Sequence, residues 1–195
     1  MSFKDYIKEH LSWIRSIYRK RLAPINLIHN IFDKPVVVLL YHRVNYLNRD
    51  LFNINVTPDN FERHIQVLKN HYNVITFNDL KRNDIKEPSV IITFDDGYYD
   101  NYKYAFPILK KYQVPATIFI TSGGVDTGKE FWWDRLETVL FENKNLRELI
   151  ELDILNQRHV FDVSDDKKRL HSFYTLHHML FSLHPNERDM ILDRW

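Results

Sequence analysis

The sequence predicts an α/β protein whose parallel strands form a sheet covered by helices, either open or closed into a barrel. Two observations predict this class. Short apolar runs alternate with segments of helical periodicity between residues 34 and 122. These runs are apolar on both faces, which is typical of strands buried in a parallel sheet. The chain has 195 residues, of which 44% are hydrophobic and 27% charged, so it holds enough apolar material for a core.

Residues 1–34 form the first predicted segment, an amphipathic helix and a connector, with the helix ending near Pro24. Its apolar residues recur at helical spacing: Phe3, Tyr6, Ile7, Leu11, Ile14, Ile17 and Tyr18. We favour a helix packed on the domain, and the alternative is a basic helix in peripheral contact with an anionic membrane surface. The segment lacks the apolar stretch of a signal peptide or membrane span, so we expect a cytoplasmic or membrane-peripheral protein.

Residues 35–128 form the predicted β/α core domain. Its predicted strands cover residues 34–44, 73–77, 88–94 and 114–122. Its predicted helices cover residues 57–72 and 101–113, with a helical turn at 78–83. Thr57 and Pro58 provide the cap and the first position of the first helix. The second helix tolerates Pro107 in its first turns if it begins near Lys103.

Residues 129–195 form a predicted, mainly helical insertion in which strand and helix no longer alternate. Helical patterns cover residues 130–152 and 165–195, around a short strand at 158–163. The chain reaches Trp195 within a helical pattern, with no glycine or polar cap behind it. We therefore expect the insertion to be truncated at its end.

Composition excludes several function classes. The net charge is +1 and no long block of like charges occurs, so we expect no nucleic-acid partner. The chain has no cysteine, which excludes disulfides, thiolate zinc sites and cysteine nucleophiles. The stretch "GGVDTGKE" at 123–130 matches a phosphate-binding loop except at Glu130, where a magnesium-binding hydroxyl is required. A nucleotide-hydrolysing function is therefore disfavoured.

Two adjacent carboxylates, Asp95 and Asp96, follow the predicted strand 88–94. In a parallel sheet this is the edge where ligands bind, and Gly97 permits a sharp turn that lets both side chains face one crevice. Two carboxylates so close repel each other, so one keeps its charge by binding a cation while the other is free to take a proton. The alternative is an ordinary turn, in which Asp and Gly are favoured for backbone reasons. The strand before the pair and the aromatic "YYDNY" after it favour a carboxylate-based cation site.

Three stretches of the chain resemble the polysaccharide deacetylases, carbohydrate esterase family 4. "VIITFDDGYYDNYKYAFPILKKYQVPATIFITSG" resembles the first signature of the family, and "VVVLLYHRV" at 36–44 resembles its first strand. "FWWDRLE" at 131–137 resembles an insertion common in members associated with exopolysaccharides. The resemblance covers roughly residues 35–140, and "TFDDG" in its apolar frame is a specific element.

The resemblance implies a distorted (β/α) barrel, here incomplete, and a divalent metal, usually zinc. It also implies hydrolysis of N-acetyl groups on a polysaccharide of N-acetylglucosamine type. Carried over to matching positions, Asp95 would be the general base and Asp96 a metal ligand. His42 would lie near the site and contact sugar, or else be a capped loop histidine.

The chain departs from the family in its histidines. Members pair the aspartate with two histidines in the pattern H-[ST]-x-x-H, and no two histidines here are four apart. The ten are His10, His29, His42, His64, His71, His159, His171, His177, His178 and His184. Those at spacing seven in the C-terminal helical pattern are better explained as a polar stripe than as ligands. We therefore predict the N-terminal part of a longer deacetylase, inactive or nearly so in isolation.

A non-catalytic function is the alternative. In it, the chain is a remnant that binds glycan through the aromatic residues of "YYDNY" and "FWWD" without cleaving it. For "FWW" we favour packing in the core over sugar binding, because a helix carrying Phe131, Trp132, Leu136 and Leu140 needs an apolar face.

Overall fold

The computed structural model describes residues 36–80, 85, 87–125 and 127–195 of the chain. The predicted N-terminal amphipathic helix lies outside the described residues. The chain divides into two compact units, one that ends at Thr121 and one that begins at Ser122. No helix within the described ranges is long and apolar enough to cross a membrane.

A parallel sheet organises the first unit. Its strands are β1 (Val36–Tyr41), β4 (Asn73–Val74), β5 (Ser89–Phe94) and β6 (Thr117–Ile118). β5 pairs with β1 along its whole length, and on its other side it pairs with β4 at its start and β6 at its end. A short parallel pair, β2 (Arg43–Val44) and β3 (Asn55–Val56), follows β1. The predicted parallel α/β arrangement is confirmed, while closure into a barrel stays a prediction.

β5 is the buried centre of this sheet. All six of its residues are buried, from Ser89 to Phe94. β-branched residues dominate the strand, and they pack well on both faces of a pleated sheet. Its side chains meet a hydrophobic core that includes Val44, Phe61, Ile65, Leu109 and Val114.

β1 corrects one prediction. The run 34–44 was expected to be a buried strand, yet Val37, Val38 and Leu40 are about half exposed. The reason is position, because within the described residues β1 pairs only with β5 and so forms an edge of the sheet. Apolar side chains are also exposed at and beyond the short strand β6, at Ile118 and Phe119.

The first described helix, α1 (Pro58–His71), confirms its sequence prediction. The Thr57 hydroxyl accepts a hydrogen bond from the Asn60 backbone amide at 3.4 Å, and Pro58 occupies the first turn. Its buried face carries Phe61, Ile65 and Leu68. A four-residue helix, α2 (Phe77–Leu80), follows β4 where a helical turn was predicted.

The helix after β5 begins with a π-helical turn, Asn101–Ala105, and continues as α3 (Phe106–Tyr112). The amide of Phe106 donates to the Asn101 carbonyl, five residues back. Pro107 has no amide hydrogen and lies directly after the change from π-helical to α-helical turns, and the helix continues past it to Tyr112. The predicted tolerance of this proline is confirmed, with the α-helical part starting later than Lys103.

The second unit corrects the predicted helix at 130–152. Helix α4 spans only Trp132–Phe141, and residues 149–152 belong instead to strand β7 (Leu149–Ile154). β7 pairs antiparallel with β8 (Gln157–Asp162), where a short strand was predicted. Its residues alternate strictly between exposed and buried, which is the strand period rather than the helical one. Leu155 and Asn156 both have positive φ, as a two-residue hairpin turn requires.

Two further helices, α5 (Asp166–Phe181) and α6 (Pro185–Leu192), replace the continuous pattern predicted for 165–195. The break falls where His184 caps α6 and Pro185 begins it. α6 ends at Leu192, so Trp195 lies beyond the helix rather than within it. His177 of the histidine stripe stacks on Trp132, with ring centroids 4.8 Å apart. Burial lowers the pKa of His177, as does the neighbouring His178.

The α1 face packed on β5 predicts a large loss of stability on truncation. Phe61 is fully buried and meets Tyr41 and Phe94 edge-on at 5.2 and 5.7 Å between ring centroids. Phe61→Ala should lower the free energy of unfolding by about 3–5 kcal/mol, because it leaves a cavity among aromatic rings. Val67→Ala, on the exposed side of the same helix, should change it by less than about 0.5 kcal/mol. Urea denaturation followed by circular dichroism measures both, and similar losses in the two variants would contradict this packing.

Candidate functional site

A tight turn carries the two carboxylates away from the end of β5. Asp96 and Gly97 both have positive φ, at 69° and 73°. The Gly97 amide donates to the Asp95 carbonyl at 2.9 Å, which closes the turn. Aspartate is one of the few residues that tolerates this left-handed conformation, so the strand reverses direction directly at the carboxylates.

Gly97 is required by space as well as by backbone angle. A Cβ atom at this position would lie 3.1 Å from the Cα of Ile120. The segment after β6 is also tied to the turn, because the Thr121 amide donates to the Asp96 carbonyl at 3.2 Å. The backbone of the carboxylate pair is therefore held from β5 on one side and from the segment after β6 on the other.

Asp96 has a perturbed acid–base equilibrium. Burial raises the pKa of its carboxyl above the ordinary value, the nearby His42 lowers it, and the neighbouring Asp95 raises it again. Both carboxylates are partly buried. A carboxylate with these neighbours gains from a cation, because a cation restores the stabilisation that water would otherwise provide.

His42 follows β1 at the same edge of the sheet. The last pair of the ladder joins Tyr41 to Phe94, and the Asp95 amide donates to the Tyr41 carbonyl at 3.0 Å. The residue after each strand, His42 and Asp95, therefore lies at the same level. The structure thus places His42 near the two aspartates predicted as site residues.

Sequence reasoning missed two residues of this region, Asp100 and Asn101. Both are buried, and they hold the loop after β1 through hydrogen bonds to His42, Arg43, and Val44. The stretch "YYDNY" was interpreted through its aromatic rings, so its polar pair was left without a role. The available signal was a polar pair inside a segment that packs on a buried strand, where a polar group is retained only if it is hydrogen-bonded.

The tyrosines of the same stretch divide into two kinds. Tyr98 is buried, with the Arg43 guanidinium 4.3 Å from its ring centroid. Tyr99 and Tyr102 are 73% and 67% exposed, and their ring centroids are 6.0 Å apart. The predicted aromatic surface beside the carboxylates thus consists of these two residues and not of the whole stretch.

The described side chains around Asp95 and Asp96 do not form a complete zinc site. Among the residues that the structure describes, no group of three or more histidine, cysteine, aspartate or glutamate side chains is arranged to hold a metal ion. A catalytic zinc takes three protein ligands and one water. Asp96 offers a single carboxylate to such a site, so no reaction step is assigned to a metal held by the described residues alone.

Comparison with known proteins identifies relatives of one kind. A family model described as polysaccharide deacetylase matches residues 82–149. The chain is 42% identical over 96 residues to YxkH of Bacillus subtilis, a candidate polysaccharide deacetylase by its name, covering 45% of this chain and 33% of the relative. It is 36% identical over 110 residues to the poly-β-1,6-N-acetyl-D-glucosamine N-deacetylase of Staphylococcus aureus, covering 48% of this chain and 38% of the relative. The chain thus spans little more than a third of the length of these relatives.

Among solved structures, IcaB from Ammonifex degensii is 28% identical over 54% of this chain and 48% of its own, with a TM-score of 0.45. A structural likeness at this level adds nothing to the sequence matches.

The electrostatics of Asp96 predict a pH-dependent effect of its removal. Because the pKa of Asp96 is raised in the fold, its contribution to stability is complete below its unfolded pKa and is lost as the pH rises through its folded pKa. In chelator, Asp96→Asn should therefore match the original chain in acid and become the more stable of the two at neutral pH. Asp166→Asn, at a side chain that is 94% exposed, should show no such gain. Urea unfolding from acid to neutral pH measures the difference in stability between each variant and the original chain. If Asp96→Asn became less stable than the original chain as the pH rises, the raised pKa of Asp96 would be contradicted.

Proposed function

We propose that this chain, which belongs to the polysaccharide deacetylase family, is the N-terminal part of a metal-dependent hydrolase. The whole enzyme would remove N-acetyl groups from a polysaccharide. The observation that carries the proposal is the tight turn at the carboxyl end of the buried strand β5. This turn presents Asp95 and Asp96 together, with one carboxyl partly desolvated.

Asp95 is assigned the role of general base. The reaction requires that a water molecule lose a proton as it attacks the amide carbonyl, and a carboxylate within hydrogen-bond reach of that water accepts it. The backbone of Asp95 is fixed by the bond from its amide to Tyr41, so its side chain starts from a defined position. Asp96 would provide one oxygen ligand to a divalent metal, usually zinc in this family, which when bound lowers the pKa of a coordinated water.

The proposed substrate is a polymer of N-acetylglucosamine type, and His42 would contact its sugar. Support comes from the name of the Staphylococcus aureus relative and from the place of His42 at the level of Asp95. An imidazole both donates and accepts hydrogen bonds, which suits sugar hydroxyls. Contact of residues 1–34 with a membrane surface and the cytoplasmic or membrane-peripheral location stay predictions.

Three features support the proposal that the remaining ligands lie on further strands. The chain covers about a third of its relatives, it has no histidine pair at spacing four, and the sheet has apolar side chains exposed at β1 and β6. Strands added at these positions would cover the exposed side chains and pair the edge of β1.

The proposal predicts the kinetic effect of removing the base. In the proposed full-length protein, Asp95→Asn should lower kcat for acetate release from poly-N-acetylglucosamine by about 10²- to 10⁴-fold, because the attacking water loses its proton acceptor. Chelation should abolish activity and zinc should restore it. Asp166→Asn serves as the control and should leave the rate unchanged. Retention of more than about a tenth of the rate in Asp95→Asn would exclude this role.

Metal-dependent deacetylation by residues 1–195 alone would refute the proposal that the site is completed elsewhere.

A second candidate function, glycan binding without hydrolysis, is favoured by one observation. Tyr99, Tyr102 and Phe106 form a row of exposed rings that begins three residues after Asp96. The rings of Tyr102 and Phe106 are parallel to within 9°, with centroids 6.0 Å apart. Flat aromatic faces with phenolic hydroxyls suit the apolar faces and the hydroxyls of sugar rings.

Binding without hydrolysis has its own signature. Tyr102→Ala should weaken binding of an N-acetylglucosamine oligomer about two- to tenfold through loss of one stacking face. Tyr72→Ala, which removes an exposed tyrosine at the end of α1, should not weaken it. Calorimetric titration with and without chelator measures the affinities. Binding that disappears in chelator would contradict this candidate and favour the metal-dependent enzyme.

A further inference from the structure

Two consecutive polar residues lie buried beneath the candidate site. Asp100 is 5% exposed and Asn101 is 2% exposed. Burial of a carboxylate is unfavourable unless donors surround it, so this pair marks a place where the fold maintains a polar contact.

The carboxylate of Asp100 binds three consecutive residues of the segment after β1: the two residues of β2 and Asn45. It accepts a hydrogen bond from Nε of Arg43 at 2.9 Å, from the Val44 backbone amide at 3.2 Å and from Nδ2 of Asn45 at 3.4 Å. One of these bonds is an ion pair whose two side chains are largely shielded from water. The stacking of Arg43 on the buried Tyr98 ring further restrains the guanidinium.

The side-chain amide of Asn101 binds the backbone of His42. Its Nδ2 donates to the His42 carbonyl at 2.8 Å, whereas its buried Oδ1 has no hydrogen-bond partner within the described part of the chain. What Asn101 contributes is therefore the donated bond, which neither an aspartate nor an apolar residue can replace.

These contacts extend the pairing of β1 and β5 beyond the ends of the strands. The backbone bond that Asp95 donates to Tyr41 is followed by the bond that the Asn101 side chain donates to His42 and by the bond that the Asp100 carboxylate accepts from the Val44 amide. The segment after β1, which also pairs with β3 through β2, is thus held against the start of the helical segment that follows the aspartates.

We propose that Asp100 and Asn101 are positioning residues that fix the segment after β1, residues 42–45, so that the His42 imidazole lies beside Asp96. The role of His42 in sugar binding rests on the proposed function, whereas the positioning itself does not. The electrostatic influence of His42 on Asp96 agrees with this arrangement.

A double-mutant cycle followed by NMR tests this inference in the whole chain. Asp96→Asn should shift the His42 ring signals in the otherwise unchanged chain, because the two residues follow the paired strands β1 and β5 at the same edge of the sheet. In the Asp100→Asn and Asn101→Ala backgrounds the same change should shift those signals less than a third as far. A variant that is less stable but still folded should keep the response of the His42 signals to Asp96→Asn. The cycle therefore separates a role in positioning His42 from a role in stability alone.

Two further variants serve as controls for the effect of Asp100→Asn. Asp79→Asn removes another loop-binding carboxylate of the same unit, one that holds the backbone and hydroxyl of Thr76. It should leave the His42 response intact. If Asp100→Asn fails to fold, Arg43→Lys keeps the charge but loses the guanidinium geometry and should reduce the response in part.

An undiminished response in folded Asp100→Asn, or no response of His42 to Asp96→Asn in the unchanged background, would overturn the inference. The measurement needs neither metal nor substrate. A failure of the deacetylase proposal would appear only in the acetate assay, so the two failures are distinguishable.

Discussion

The parallel pairing of β1 with β5 is the constraint on which the candidate site depends. Its register joins Val36 to Ser89 and Tyr41 to Phe94, so the two strands end at the same level. His42 follows β1 and Asp95 follows β5, so these two residues meet at one edge of the sheet. A slip of one residue would turn the side chains of β1 to the opposite faces and move His42 away from the aspartates.

Burial of β5 fixes that register. The strand is closed to water on both faces, so sliding it would expose β-branched side chains. The same burial makes the polar groups beyond its end costly unless they are paired. Asp100 accepts hydrogen bonds from the segment after β1, and Asn101 donates one to it, although Oδ1 of Asn101 has no hydrogen-bond partner within the described residues. Burial raises the pKa of the Asp96 carboxyl above its ordinary value. Asp96, the proposed metal ligand, is thus a partly buried carboxylate.

Local chemistry made much of this predictable from the sequence. The apolar run before Asp95, the glycine after Asp96 and the Thr57 cap each specify their structure through interactions within a few residues. The failures involve longer range. Residues 149–152 show apolar positions that fit a helix or a strand, and pairing with β8 selects the strand. Exposure of β1 and the partners of Asp100 depend on what lies beside them in space, which one sequence does not state.

The most direct test of the central claim, that Asp95 and Asp96 belong to a site completed by further strands, is the DNA sequence beyond the codon for Trp195. We expect a continuing open frame that encodes H-[ST]-x-x-H followed by more strand-forming segments. A stop codon directly after Trp195 would contradict it, and would leave the carboxylate pair as half of a site in a degenerate enzyme or a glycan-binding remnant.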